Sequence, residues 1–298
     1  MIDEVLTVLR PRPGGSYLDG TVGGGGHSEG LLDHSSPDGR LLCTDADPDA
    51  LERASKRLIR FNGRVIMRQA WLDEVPAVAH TLGYTPLDGA LVDLGLSSDQ
   101  LDNASRGFSF MHDGPLDMRF DPTHGYTAAQ LINQSDVAYL THILREYGEV
   151  LRAGKVAEAI WSARPISTTF QLRDAVAGIA RSRGRIHPAT QVFQALRIAA
   201  NDELRRLSDA LPQLVDCLAP GGRLAVITFH SLEDRIVKQA FRRFATRSDM
   251  QPEAEIYTAL SNVTVRLITH KPIMPSEAEV AANARARSAK LRVVEKLG

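Results

Sequence analysis

Asp19-Gly-Thr-Val-Gly-Gly-Gly-Gly-His27 stands between the short apolar run Ser16-Tyr17-Leu18 and a helical pattern from Ser28 to Leu32. A glycine-packed turn joining a first strand to a first helix lets backbone approach a ligand closely, because residues without a Cβ accept both crowding and positive φ. The helix behind it aims unpaired N–H groups and a partial positive charge at the same spot. Such a bend holds a nucleotide-like cofactor, with a glycine-rich surface turn as the competing reading. A pyrophosphate loop needs Gly-x-Gly-x-x-Gly. Gly20, Gly23, Gly24, Gly25 and Gly26 do not present that pattern from the strand end. Asp19 instead closes the strand, where a carboxylate repels pyrophosphate but suits an amino group or a sulfonium.

Outward from this bend the first hundred residues alternate strand and helix, the signature of a parallel sheet with crossover helices. Strands are expected at Ser16–Asp19, Arg40–Asp45, Arg64–Arg68 and Gly89–Leu94, with helices near Gly26–His34, Asp49–Phe61 and Leu72–Leu82. Asp47 and Pro48 form a good start for the second helix. A fifth strand, Gly222–Phe229, reads as a buried run. A helix from about Ser231 to Phe244 follows, for which Ser231 and Asp234 would make an ordinary start in competition with a role at the site. The alternating stretch Val263–Thr269 and a last strand, Lys290–Glu295, complete an antiparallel edge pair.

About 100 residues more than one crossover requires separate the fourth and fifth strands. They are mostly helix-patterned: Thr127–Glu149, opened by a Thr127/Gln130 capping box, then Lys155–Arg164, Phe170–Arg181 and Thr190 onward. The expected organisation is an α/β sheet domain, 1–102 with 202–298, carrying a helical inserted domain, 103–201, that recognises substrate. A merely stabilising insert is the alternative.

The chain of 298 residues is 43% hydrophobic, enough for a large core. It lacks an apolar stretch of the roughly 20 residues that span a bilayer, and its start is unlike a signal peptide. Cys43 and Cys217 form no metal-ligand spacing, so no metal is expected, and two scattered cysteines suit a reduced cytoplasm. Charge is uneven: residues 1–100 hold 9 basic and 15 acidic side chains, and the remainder 26 and 21. Basic clusters at Arg181–Arg185, Arg242-Arg243 and Arg285-Ala-Arg287 with Lys290 and Arg292 are phosphate footprints or solvated faces.

Individual positions carry the chemistry. Asp45, ending the second strand, meets the ribose diol of an adenosine-containing cofactor through charge-assisted hydrogen bonds. Asp47 is the better helix cap of the two. Trp71, after the third strand, stacks on adenine or packs the next helix. Asp93 ends the fourth strand in Asp93-Leu-Gly-Leu-Ser-Ser-Asp-Gln100 and sits near the sulfonium or amino end of a cofactor, orients an attacking amine, or merely caps the strand, with Ser97 and Ser98 behind it. Gln100 is a hydrogen-bonding candidate. Phe108 and Phe110, in Arg106-Gly-Phe-Ser-Phe110, anchor a roof over the cofactor or stack on a base. His230, Glu233, Asp234 and Arg235 are placed near the same cleft.

Together, Asp19–Ser28, Asp93–Gln100, Arg106–Phe110, Gly114–Arg119, His187–Thr190, Phe229–Lys238 and Asn283–Arg292 resemble the bacterial small-subunit (16S) ribosomal RNA cytosine-N4 methyltransferase family across essentially the whole chain. The resemblance implies a class I methyltransferase fold with a helical insert. It implies methyl transfer from S-adenosyl-L-methionine to the N4 amine of one cytidine in the decoding region, with small-subunit ribosomal RNA or the small ribosomal subunit as partner. Carried over by position, cofactor contacts fall to Gly25, Gly26, His27, Asp45, Trp71, Asp93 and Gln100. The family's short His-containing segment before Glu4-Val-Leu is absent from this sequence. So is the Asp/Asn-Pro-Pro-Tyr tetrapeptide of many amino-methyltransferases, whose place Asp93-Leu-Gly-Leu-Ser-Ser takes. Asp93 is the expected acceptor for the amine protons as nitrogen, aligned at about 3–3.5 Å, attacks the methyl carbon. Competing readings are another nucleic-acid amino-methyltransferase, a nicotinamide-dependent dehydrogenase, and a non-catalytic ribosome-assembly factor.

Overall fold

The computed structural model describes residues 1–179, 188–245 and 265–298. The Arg181–Arg185 cluster, His187 and the first residues of the Val263–Thr269 stretch lie outside them. Two compact units form: Met1–Gly95 with Leu204–Gly298, and Leu96–Glu203.

The first unit is built on seven strands: β1 Ser16–Asp19, β2 Arg40–Asp45, β3 Val65–Gln69, β4 Leu87–Asp93, β5 Leu218–Thr228, β6 Val265–Leu267 and β7 Lys290–Lys296. Their order is β3-β2-β1-β4-β5-β7-β6. β1 to β5 run parallel, and β7 is antiparallel to both β5 and β6. The unit is thus an α/β fold on a mixed, mostly parallel sheet, the class the strand–helix alternation led us to expect. The last two strands do pair antiparallel, but β7 lies inside, between β5 and β6, so of the two only β6 lies at an edge.

Period-two alternation divides the strand side chains between two cores. Leu18, Leu42, Ala90, Val92, Leu224 and Val226 face one way, against α4 (Val75–Thr81), α11 (Glu203–Asp216) and α12 (Ser231–Ala245). Tyr17, Leu41, Cys43, Leu91, Ala225 and Ile227 face the other, against α1 (Ile2–Leu9), α2 (Gly26–His34) and α3 (Pro48–Arg57). α1 was not anticipated from sequence. α3 starts as expected: the Asp47 carboxylate accepts from Asp49 N at 3.0 Å. α12 does not. Its cap lies one residue before Ser231: His230 Nδ1 accepts from Glu233 N at 3.4 Å, and Glu233 Oε2 accepts back from His230 N at 3.2 Å. Asp234 is thereby released to bind Arg292 on β7 at 2.7 Å.

The second unit is helical, with α5 (Ser98–Asp102), α6 (Ala128–Gln134), α7 (Val137–Glu146), α8 (Ala153–Ser162), α9 (Thr169–Val176) and α10 (Pro188–Asn201). α6 opens with the Thr127/Gln130 capping box. The single helix expected over Thr127–Glu149 is broken at Ser135. Asp136 there accepts from Tyr139 N at 2.7 Å and starts α7 anew. Phe108 stacks on Phe120 and Phe110 packs edge-on to Phe193, so both serve as anchors in this unit's core. At Gly107, with φ 72°, a Cβ would collide with the Pro115 carbonyl, which locks Arg106–Phe110 onto Gly114–Arg119. Among the described residues no helix is long and apolar enough to cross a membrane.

Leu91, fully buried in β4, also supplies the carbonyl that receives Gly20 N at 2.9 Å. Leu91→Ala leaves a cavity beneath the glycine bend and is expected to cost about 2–5 kcal/mol, measured by chemical denaturation.

Candidate active site

The glycine bend is stitched to the strands on both sides. Gly20 N donates to Leu91 O on β4, and Val22 N to Thr44 O on β2, each at 2.9 Å. Gly25, with φ 77°, caps α2, and the first N–H groups of that helix, from Gly26 and His27, have no intrahelical acceptor. Gly25 needs its glycine because this backbone is left-handed, although a Cβ there would only reach ordinary contact with Ala54 at 3.4 Å.

Three carboxylates converge at the carboxyl ends of β1, β2 and β4. Asp19 is 1% exposed; it accepts from Ser28 Oγ at 2.6 Å and Thr21 N at 3.3 Å, and burial lifts its pKa to about 6. Asp45 accepts from Gly23 N and from Asp47 N, each at 2.9 Å, and burial again raises it to about 6. Asp45 thus ties the bend to β2 while Asp47 caps α3. Asp93 is the least satisfied. Its backbone N donates to Thr21 Oγ1 at 2.6 Å, its Oδ2 lies 3.4 Å from His27 Nδ1, and its Oδ1 is buried without a hydrogen-bond partner. Burial first, then the charges of Asp19 and Glu233, push its pKa to about 7. Burial lowers His27 to about 4, and His27 Nε2 is likewise buried and unpartnered. At neutral pH the pair is therefore a neutral imidazole beside a half-ionised carboxyl, not a fixed ion pair.

Trp71 stands next to this group, because Ala70 N donates to Asp45 O at 3.0 Å and Gln69 is the register partner of Asp45. One face of its indole carries the Arg206 guanidinium, 4.2 Å from the ring centroid, which Asp73 holds from below at 2.5 Å. Gln100 belongs to the helical unit, where it completes a capping box with Ser97 at the start of α5. Ser97 is the cap itself, its Oγ accepting from Gln100 N at 3.2 Å. The sheet unit thus gathers Gly25, Gly26, His27, Asp45, Trp71 and Asp93. Sequence reasoning missed Thr21, Ser28 and Arg206. The first two carried a signal, as hydroxyls two residues after Asp19 and on the inner face of the first helical turn. Arg206 carried none.

A cofactor fits this arrangement on the structure's own terms: two buried polar atoms, His27 Nε2 and Asp93 Oδ1, lack partners beside a bend with room at Gly24, where a Cβ would meet nothing within 4 Å. The model of the MraW methylase family matches residues 1–297. The chain is 48% identical to the "Ribosomal RNA small subunit methyltransferase H" of Thermomicrobium roseum, over 100% of this chain and 92% of that protein. It is 50% identical to the protein of that name from Citrifermentans bemidjiense, over 99% and 96%, and 46% identical to that of Heliobacterium modesticaldum, over 100% and 97%.

Two measurements test this geometry. Gly25→Ala should lower stability by about 1–2 kcal/mol while Gly24→Ala stays near neutral, by thermal melting. By NMR titration His27 should remain neutral down to about pH 4, and an ordinary midpoint near 6.5 would refute its burial.

Proposed function

The chain belongs to the MraW methylase family, and we propose on that premise that it methylates the N4 amine of one cytidine in the decoding region of small-subunit (16S) ribosomal RNA. S-adenosyl-L-methionine, when bound, supplies an electrophilic methyl carbon on a sulfonium. Gly25, Gly26 and His27 would hold it at the bend, Asp45 would take its ribose hydroxyls, and Trp71 would offer the indole face opposite Arg206 to its adenine. Gln100 is assigned to the same set by family position. The helical unit takes the role of substrate recognition.

The observation that carries the reading is Asp93. An exocyclic amine conjugated with its ring is a weak nucleophile, so something must accept its protons as nitrogen becomes tetrahedral. A buried carboxyl with one oxygen free of partners and a pKa of about 7 is matched to that task near physiological pH. Methylation at carbon would instead require a thiolate. Cys43 is fully buried within β2 and Cys217 is part-buried, and burial pushes both thiols up, away from ionisation. Nitrogen is the acceptor this site supports.

Because Asp93 takes up a proton only when ionised, kcat/KM for the cofactor, which reports the free protein, should rise with pH through about 7. Asp93→Asn should cut kcat roughly 10²–10⁴-fold at saturating cofactor and remove that rising limb. The readout is methyl transfer to small ribosomal subunits from labelled cofactor, followed across pH. Normal turnover by the Asn variant would refute the role of Asp93. Unchanged N4-methylcytidine in ribosomal RNA from a deletion strain, by nucleoside mass spectrometry, would leave a non-catalytic assembly factor instead.

A further inference from the structure

The basic residues of the last third of the chain fall into two groups that the sequence does not separate. One group is committed to the fold. Arg292 reaches Asp234 at 2.7 and 3.2 Å, and Lys290 reaches the same carboxylate at 3.4 Å. Arg223 and Arg266 both hold Glu295, at 2.9 and 2.5 Å. Burial pulls both carboxyls upward, yet these cations keep Asp234 and Glu295 below the usual range. The other group is Lys238, Lys271 and Arg287. All three are exposed, and none makes an ion pair or side-chain hydrogen bond among the described residues.

These three gather around the start of β7. Lys238 is one helical turn beyond Asp234, on the α12 face that binds Lys290 and Arg292. Lys271 is two residues before Ile273, which exchanges both backbone hydrogen bonds with Leu291 at 2.9 Å. Arg287 lies in the turn that ends with Ala289 N donating to Ala286 O at 2.9 Å, just ahead of Lys290. Asp93 pairs in register with Ile227, and Ile227 with Leu291. Two strand spacings, about 10 Å, therefore separate the β7 start from Asp93.

We infer that Lys238, Lys271 and Arg287 form a phosphate-binding surface that holds the RNA backbone beside Asp93, an inference that rests on the reading of small-subunit ribosomal RNA as substrate. The chemistry is that of a polyanion contact. Three unpaired cations with no aromatic ring among them position a backbone without reading bases. The local acid Asp234 is already neutralised by Lys290 and Arg292, so the surface keeps its positive charge. An acidic protein segment would meet the same charges but would not share the substrate's need to lie next to Asp93.

The test is binding of the full-length protein to isolated small ribosomal subunits between 50 and 200 mM salt, for Lys238→Gln, Lys271→Gln, Arg287→Gln and the triple variant. Each single change should reduce the slope of log K against log salt by roughly 0.7–0.9, and the triple by about two to three. Affinity for S-adenosylhomocysteine and the melting temperature should stay at their wild-type values. Arg292→Gln is the contrasting variant, expected to lower the melting temperature and keep the slope. A triple variant with the wild-type slope and affinity would overturn the inference while leaving the substrate reading intact. An equal slope loss in Arg292→Gln would overturn the division into two groups. A wild-type protein that does not bind small subunits at all would overturn both readings.

Discussion

Everything at this site depends on the desolvation of three carboxylates, Asp19 buried and Asp45 and Asp93 part-buried, at the ends of three neighbouring parallel strands. Removing an ion from water costs several kcal/mol even after relaxation, and Asp19 raises the pKa of both Asp45 and Asp93 further by its own charge. The glycine bend moderates that cost. Its backbone and hydroxyls are aimed inward, Thr21 N and Ser28 Oγ at Asp19, Gly23 N at Asp45. Asp93 receives the least and is displaced the most. For raised carboxyls the linkage runs one way: the folded state holds their protons more tightly than the unfolded chain does. They favour folding below about pH 4 and withdraw that contribution as pH rises through 6 and 7. At neutral pH the trio works against the fold, and a ligand that brings donors or positive charge into the bend relieves it.

That bend was legible in the sequence because its requirements are local. Asp19 must end a strand, glycines must follow, and a helix must start within reach, all inside nine residues. The strands β1 to β5, the Asp47 cap and the Thr127 capping box were legible for the same reason. Features that failed to appear depend on partners far along the chain. Arg206 meets Trp71 across 135 positions, and no periodicity marks such a meeting. The entry of β7 between β5 and β6 follows from cross-strand ladders and from Arg223 bonding Glu295, 72 residues away. The break at Ser135 is a different failure: apolar periodicity continues across it, and only the competition between an extended Asp136 cap and a continuous helix decides the outcome.

The misread start of α12 shows how a fold detail enters the chemistry. Ser231-Leu-Glu-Asp234 looks like an ordinary helix opening, and a hydroxyl cap would have left Glu233 free to face solvent. With His230 as cap, Glu233 turns back to accept from Phe229 N at 2.8 Å and His230 N at 3.2 Å, and is only 2% exposed. Held there, its charge is one of those that raise Asp93. A carboxylate at this position is favoured by the N–H groups and dipole of its own helix. The helix therefore fixes a negative charge close to Asp93 at little expense to itself. A local choice between two neighbouring caps in this way adds a minor contribution, after burial and the charge of Asp19, to the upward shift of Asp93, and so ties the start of α12 to the reaction that Asp93 is proposed to serve.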